Sequence, residues 1–290
     1  MKHLKPILAT SILALSLSSC MTNKNKVVVK DSVKEAVLSI AEQRSNLAAN
    51  TKGKGYGPQS PRDIDSNSGE NSIIFNTAPN YQNMNLCNIH FHKNAEHKGG
   101  EFTLYAGDGD LKGKNTGYKY SGTLSKAEMM TVNDKVCDGK YGSLNSGDTI
   151  EVHYVHSSAP VQPGPTLGAC LSEANMNPQL RVETQVFVLV NDKQGHDFNK
   201  LTEHQVINGK HQAANIPSST GTPIQYTGST TGPGYNEKAS QLQVSWSVRP
   251  KVAKLDINSI AQWCKGNVYD EDHAHGVRNL VVNPDLLSKF

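Results

Sequence analysis

From about residue 73 the chain is divided into short runs that suit a pleated sheet: SIIF, NIHFH, EFTLYA, YKYSGTL, TIEVHYVH, RVETQVFVLV, IQYTGST and LQVSWSVRP. Successive side chains of a strand point to opposite faces, so runs of this length bury their apolar residues only when laid side by side. Turn clusters (GDGD, CDGKYGSLNSGD, VNDKQGHD) separate the runs, and no regular repeat links them. GDGD lacks the further ligands of a calcium loop and reads as a turn. The 290 residues, 36% hydrophobic and 19% charged with 24 Gly and 13 Pro, suffice for one substantial core. The expectation is a mostly β (α+β) single domain over residues 53–290. It would be built on a large, mainly antiparallel β-sheet with a few peripheral helices.

Helical spacing is confined to two places. DSVKEAVLSIAEQRSNLAAN offers Asp31 or Ser32 as N-cap, with Val33, Val37, Ile40 and Ala41 along one stripe. DINSIAQWCKG predicts a second, short helix. Between the first helix and the strands, KGKGYGPQSPRDIDSNSGENS is turn-forming, irregular backbone.

The first twenty residues do not belong to the fold. A basic start (Lys2, Lys5), an apolar run from Ile7 to Leu17 and small residues before Cys20 read as an export signal over 1–19. The run is too short to span a membrane, which takes roughly twenty apolar residues. Leu17-Ser18-Ser19-Cys20 resembles a bacterial lipobox, which implies a lipid on Cys20 as the only membrane contact. Met21 after the cysteine resembles lipoproteins sorted to the outer membrane; an ordinary signal with periplasmic or secreted product is the other reading. Residues 20–52 are then a tether plus the amphipathic helix. Removal of Lys2 and Lys5 leaves 27 basic against 26 acidic residues, a net charge of +1 that gives no footprint for nucleic acid.

Four cysteines remain: Cys87, Cys137, Cys170 and Cys264. An even number in an exported chain predicts two disulfides, and CxxC metal spacing is absent. Three connectivities are open. Pairing Cys137 with Cys170 would tie off the segment that carries TIEVHYVH, leaving Cys87 with Cys264.

Chemistry concentrates in two strands. In CNIHFHKNAEHK, His90 and His92 share one strand face while Ile89 and Phe91 take the other. In TIEVHYVHSS, Glu151, His153 and Val155 share a face, opposite Val152 and Tyr154. Laid side by side, the two strands supply His90, His92 and His153 as three metal ligands, with the fourth tetrahedral position left for water. Ligand histidines usually donate their outer N–H to a carboxylate or amide. Asn88, two before His90, and Glu151, two before His153, are in register for that. His156 faces away and reads as structural.

HFH, AEHK and EVHYVH resemble the zinc signature of the carbonic anhydrases. GPQSPRDI (57–64) is similar to the Gln-Ser-Pro segment of the alpha class, YTGSTTGP (226–233) to its threonine-bearing segment, and VSWSV (244–248) to the strand after it. Glu96 follows His92 too closely, and His153 follows His97 too distantly, for the alpha class. The compact NIHFHKNAEHKGGEF and the long insertion resemble the delta-class carbonic anhydrases. The resemblance implies Zn2+, with Co2+ or Cd2+ as substitutes, on His90, His92 and His153. It implies reversible hydration of carbon dioxide to bicarbonate. Thr231, or Thr230 after a one-residue shift, would accept a hydrogen bond from the zinc ligand, and Glu96 would accept the threonine proton. Val155 and Val244, with Thr230 in place of a leucine, would line the carbon dioxide pocket. No histidine occurs in residues 62–72, where the alpha class keeps its proton shuttle, so the proton leaves either through a loop histidine (His196, His204 or His211) or by a water or buffer route.

A second reading is an exported lipoprotein that holds zinc without turnover. DEDHAHG (Asp270, Glu271, Asp272, His273, His275) would offer it donors, although its lack of apolar strand context reads more simply as a solvated acidic turn. Glu96 together with Thr231 favours the enzyme, since storage needs neither.

Overall fold

The computed structural model describes residues 39–111, 114–230, 232 and 234–290. The expected export signal, lipobox and tether and the expected caps at Asp31 and Ser32 lie outside them, as does Thr231. Among the described residues the chain runs α1 (Ile40–Thr51), β1 (Asn85–Lys93), β2 (Leu104–Tyr105), β3 (Tyr118–Lys119), β4 (Thr149–Ser157) and β5 (Leu180–Val190). It continues through α2 (Phe198–Thr202), β6 (His204–Ile207), β7 (Lys210–Ala213), β8 (Ile224–Ser229), β9 (Gln243–Val248), β10 (Ala253–Asp256) and α3 (Ile257–Trp263).

Six strands form the main sheet in the order β1-β4-β5-β9-β8, with β10 beside the second half of β5. The pairings β1–β4, β4–β5 and β8–β9 are antiparallel; β5–β9 and β5–β10 are parallel. The mostly β expectation holds. β2–β3 and β6–β7 are separate two-stranded ribbons. SIIF is not a strand: residues 71–80 run without ladder partners, their backbone served by side chains such as Ser245, whose Oγ accepts from the Ala78 N–H.

Alternation along β1, β4 and β5 divides the protein into two cores. Ile89, Phe91, Val152, Tyr154, Phe187 and Leu189 face back, where Phe198 of α2 and Ile257, Ile260 and Trp263 of α3 cover them. The front face carries Val155, Val182, Val186, Val244 and Trp246. α1 starts on a capping box in which Ser39 and Glu42 satisfy each other's backbone N–H. It packs Leu47 against Val281, Leu286 and Leu287.

Two disulfides are present, with a pairing that corrects the one weighed above: Cys87–Cys170 and Cys137–Cys264. The sheet decides it. Cys87 and Cys170 belong to the front cluster, Cys137 and Cys264 to the back one, so a Cys87–Cys264 bond would have to cross the strands. Non-reducing peptide mapping is expected to return these two linked peptides, and a Cys87–Cys264 peptide would contradict the structure.

His156 lies on the back side of β4 against the ring of Tyr81. Its Nδ1–H donates to the Tyr154 carbonyl at 3.0 Å, and its buried Nε2 has no partner among the described residues. Burial pushes its pKa down to about 3. The unfolded chain takes up a proton here below about 6.5, whereas the folded one stays neutral. Stability is therefore lost as pH falls below that value, by up to about 1.4 kcal/mol per pH unit from this group. Urea unfolding between about pH 7 and 4.5 is expected to show a shallower acid loss in His156→Gln than in wild type; equal slopes would refute the assignment.

Candidate metal centre

The β1–β4 register sets His90 opposite His153, His92 opposite Glu151 and Asn88 opposite Val155. Ile89 and Phe91, fully buried in the back core, fix which way β1 faces, so both its histidines emerge on the front. The three imidazoles gather there, with ring centroids 5.3 Å apart for His90–His92, 5.0 Å for His90–His153 and 4.8 Å for His92–His153.

Two of the three, His90 and His153, have their outer nitrogens engaged. His90 Nδ1 meets Asn88 Oδ1 at 2.7 Å, and His153 Nε2–H donates to Glu151 Oε1 at 2.7 Å. That leaves His90 Nε2 and His153 Nδ1 facing each other at 3.2 Å. With both protons directed outward, two lone pairs confront one another, an arrangement that calls for a cation between or beside them. Two ligands at 2.0–2.1 Å on a tetrahedral ion stand roughly 3.3 Å apart, so the spacing fits zinc. Burial, reinforced by the neighbouring histidines, holds His90 and His92 well below the usual imidazole range, so they are neutral and able to ligate.

Asn94 adopts a left-handed conformation (φ 68°) at the end of β1 and reverses the chain. Gly117 permits the return, because a Cβ there would lie 2.3 Å from the Ala95 carbonyl oxygen. The turn is why three residues suffice between His92 and Glu96: Glu96 Oε1 lies 3.7 Å from His92 Nε2, and Oε2 lies 3.9 Å from His153 Nε2. Glu96 is buried and accepts the Arg278 backbone N–H at 3.0 Å. Burial raises its pKa, against the pull of His153.

His97, Glu151 and His153 also cluster closely enough to hold an ion. Their polar atoms are already paired. His97 Nδ1 donates to Glu151 Oε1 at 2.8 Å, and its Nε2 accepts from the Tyr226 hydroxyl at 2.7 Å. Burial would raise the Glu151 carboxyl, but His97 and His153 outweigh it and hold Glu151 ionised. This group braces His153.

A cavity of about 460 Å³ opens over the first cluster, with His90, His92, Glu96, Leu167, His273 and His275 among its walls. Val155, Val244 and Thr230 are buried, the first two in the front apolar cluster on which Leu167 packs. The 164–170 turn that brings Leu167 here is fastened by Cys87–Cys170 and by Asn88 Nδ2, which donates to the Gly164 carbonyl.

Sequence reasoning missed the C-terminal wall. DEDHAHG is not a free acidic turn. The His275 N–H donates to the Phe91 carbonyl at 2.8 Å and its carbonyl accepts from Lys93, covering the outer edge of β1. The His275 ring stacks on His90 at 5.2 Å, and its Nε2 meets Glu271 at 2.7 Å. The HxH spacing of His273 and His275 was the available signal, hidden because their strand partner lies some 180 residues away in sequence. Conversely, His196, His204 and His211 stand apart from this cavity: His196 bridges to Leu255, and the other two lie on the β6–β7 ribbon.

Several solved structures align with most of the chain, among them three carbonic anhydrases. A hyperthermostable carbonic anhydrase from an active hydrothermal vent chimney has 16% identity, covers 81% of this chain and 92% of its own, and gives a TM-score of 0.26. The alpha-carbonic anhydrase of Thermovibrio ammonificans, solved with sulfanilamide, has 12% identity, coverages of 76% and 82%, and a TM-score of 0.25. That of Photobacterium profundum has 13% identity, coverages of 83% and 93%, and a TM-score of 0.26. No curated protein sequence matches. The profile of the delta carbonic anhydrases, by contrast, matches residues 81–259, the stretch that carries both histidine strands, and by that match the chain belongs to the delta carbonic anhydrase family.

Proposed function

We propose that this protein is a zinc-dependent carbonic anhydrase that reversibly hydrates carbon dioxide, with His90, His92 and His153 as the metal ligands. The observation that carries the reading is the pair of facing nitrogens, His90 Nε2 and His153 Nδ1, whose outer partners are already committed. A zinc ion there would lower the pKa of a bound water toward ~7 and so supply a nucleophile at neutral pH. The chain's own residues do the rest. Asn88 and Glu151 hold the ligand tautomers. Leu167, backed by Val155 and Val244, offers carbon dioxide an apolar surface, and Thr230 shapes its edge. Glu96 accepts the hydroxyl proton of Thr231, which orients the attacking oxygen. His273, half-exposed on the cavity wall, carries the released proton toward solvent.

We further propose export through residues 1–19 and attachment by a lipid on Cys20, on the periplasmic side of a bacterial membrane. Cys20→Ala should then leave the protein in the soluble fraction; unchanged membrane pelleting would refute the anchor.

Stopped-flow hydration on metal-quantified protein tests the catalytic reading. His153→Ala should lose both zinc and activity, because two protein ligands hold a catalytic zinc poorly. Thr231→Ala and Glu96→Gln should keep zinc but lose a hydrogen bond to a charged group, worth roughly 1.5–3 kcal/mol, or about ten- to over a hundredfold in rate. Their double mutant should lose less than the product of the two. Stoichiometric zinc without hydration in wild type would leave the zinc-holding lipoprotein as the function.

For the proton path, His273→Ala should slow turnover in dilute buffer, and added imidazole should restore it. An unchanged rate at low buffer would remove His273 from that role.

A further inference from the structure

Arg278 is almost fully buried, 2% exposed, yet the partners of its guanidinium are backbone carbonyls rather than carboxylates. Nη1 donates to the Ser60 carbonyl, Nε and Nη2 to that of Tyr235, and Nη2 also reaches Lys238. Burying a charge is costly unless every donor is satisfied, and a planar five-donor fork is the group able to satisfy three carbonyls at once. At its other end the same residue gives its backbone N–H to Glu96, the carboxylate beside His92 and His153.

The segments it joins converge on one loop. Residues 230–242 connect β8 to β9, closed at the base by the Thr230 N–H to the Leu242 carbonyl at 2.8 Å. Tyr235 and Lys238 are the loop's far side, where Asn279 adds a second tie through the Asn236 side chain. Ser60 is itself bonded to Ser229, the last residue of β8. The stretch bearing Arg278 is anchored in turn by His275 on β1 and by the Val281 N–H on the Pro61 carbonyl.

We propose that Arg278 is a positioning residue, a strut that holds the Glu96 carboxylate in place beside His92 and His153 by tying it to the 230–242 loop. This rests on the carbonic anhydrase reading for its consequence, while the strut itself rests on the bonds above. Slack in it displaces Glu96 and the loop relative to each other without touching a ligand histidine. A misplacement of ~1 Å can cost about a hundredfold in rate.

The test uses Arg278→Lys, which keeps the charge but loses the fork, and Arg278→Met, which keeps apolar length only. Both are measured at full metal occupancy, as zinc protein for kcat and KM and as cobalt protein for the pH dependence of its visible spectrum. The expected result is intact metal stoichiometry, kcat lower by about ten- to a hundredfold with KM little changed, and a displaced midpoint of the cobalt transition. Added guanidinium is expected to restore part of the loss in Arg278→Met. A fall in melting temperature alone, with the cobalt midpoint kept by both variants, overturns the proposal. Should Arg278→Met not fold, Arg278→Lys decides by the same midpoint. If wild-type protein binds cobalt but hydrates no carbon dioxide, the functional reading fails, and the midpoint comparison still judges the strut.

Discussion

Everything at the site depends on one antiparallel pairing, β1 with β4 in the register that puts His90 opposite His153. A slip of one residue would turn the histidines of one strand to the back core, and Ile89 or Val152 to the front. That slip is prevented by burial. Ile89, Phe91, Val152 and Tyr154 are all fully buried behind the sheet, and Leu/Ile- or Phe-sized side chains cost roughly 2–5 kcal/mol each when their buried contacts are removed. Two histidines that would be costly to bury unpaired are therefore held together by apolar residues that never touch them.

Around this pairing the polar groups form concentric layers. The inner nitrogens of His90 and His153 face one another; Asn88 and Glu151 hold their outer nitrogens; Gly164 and His97 hold those in turn, and Tyr226 holds His97. Fully satisfied networks in a low-dielectric interior are rigid, because any displacement strands a buried donor or acceptor. Such rigidity suits a metal centre whose open position has to stay open. His92 is the exception, since its Nδ1 is buried without a partner among the described residues. It is the ligand candidate least restrained by hydrogen bonding, and the His275 segment bridged to it is what limits its wall of the cavity.

Much of this was legible beforehand because the relevant physics is local. Period-two alternation named the faces of NIHFH and TIEVHYVH, and the same parity put Asn88 and Glu151 within reach of the ligands. What misled was non-local. Tying off the segment that bears the His153 strand favours Cys137 with Cys170, whereas the sheet sorts the cysteines by side. SIIF has strand composition but takes no strand partner among the described residues. DEDHAHG looks solvated because its partner strand, residues 91–93, lies far upstream.

By itself the sequence determined the mostly β architecture, the grouping of His90, His92 and His153 on one face, and the presence of two disulfides. These follow from alternation, composition and parity, which act over a few residues. Only the tertiary structure decided the mixed strand order, the cysteine pairing, the approach of His275 to β1 and the burial of Arg278 among carbonyls. Those depend on which distant segments share a sheet edge or a cavity wall. Long-range pairing of that kind is selected by the summed burial and hydrogen bonding of the whole chain, and no short window of residues carries it.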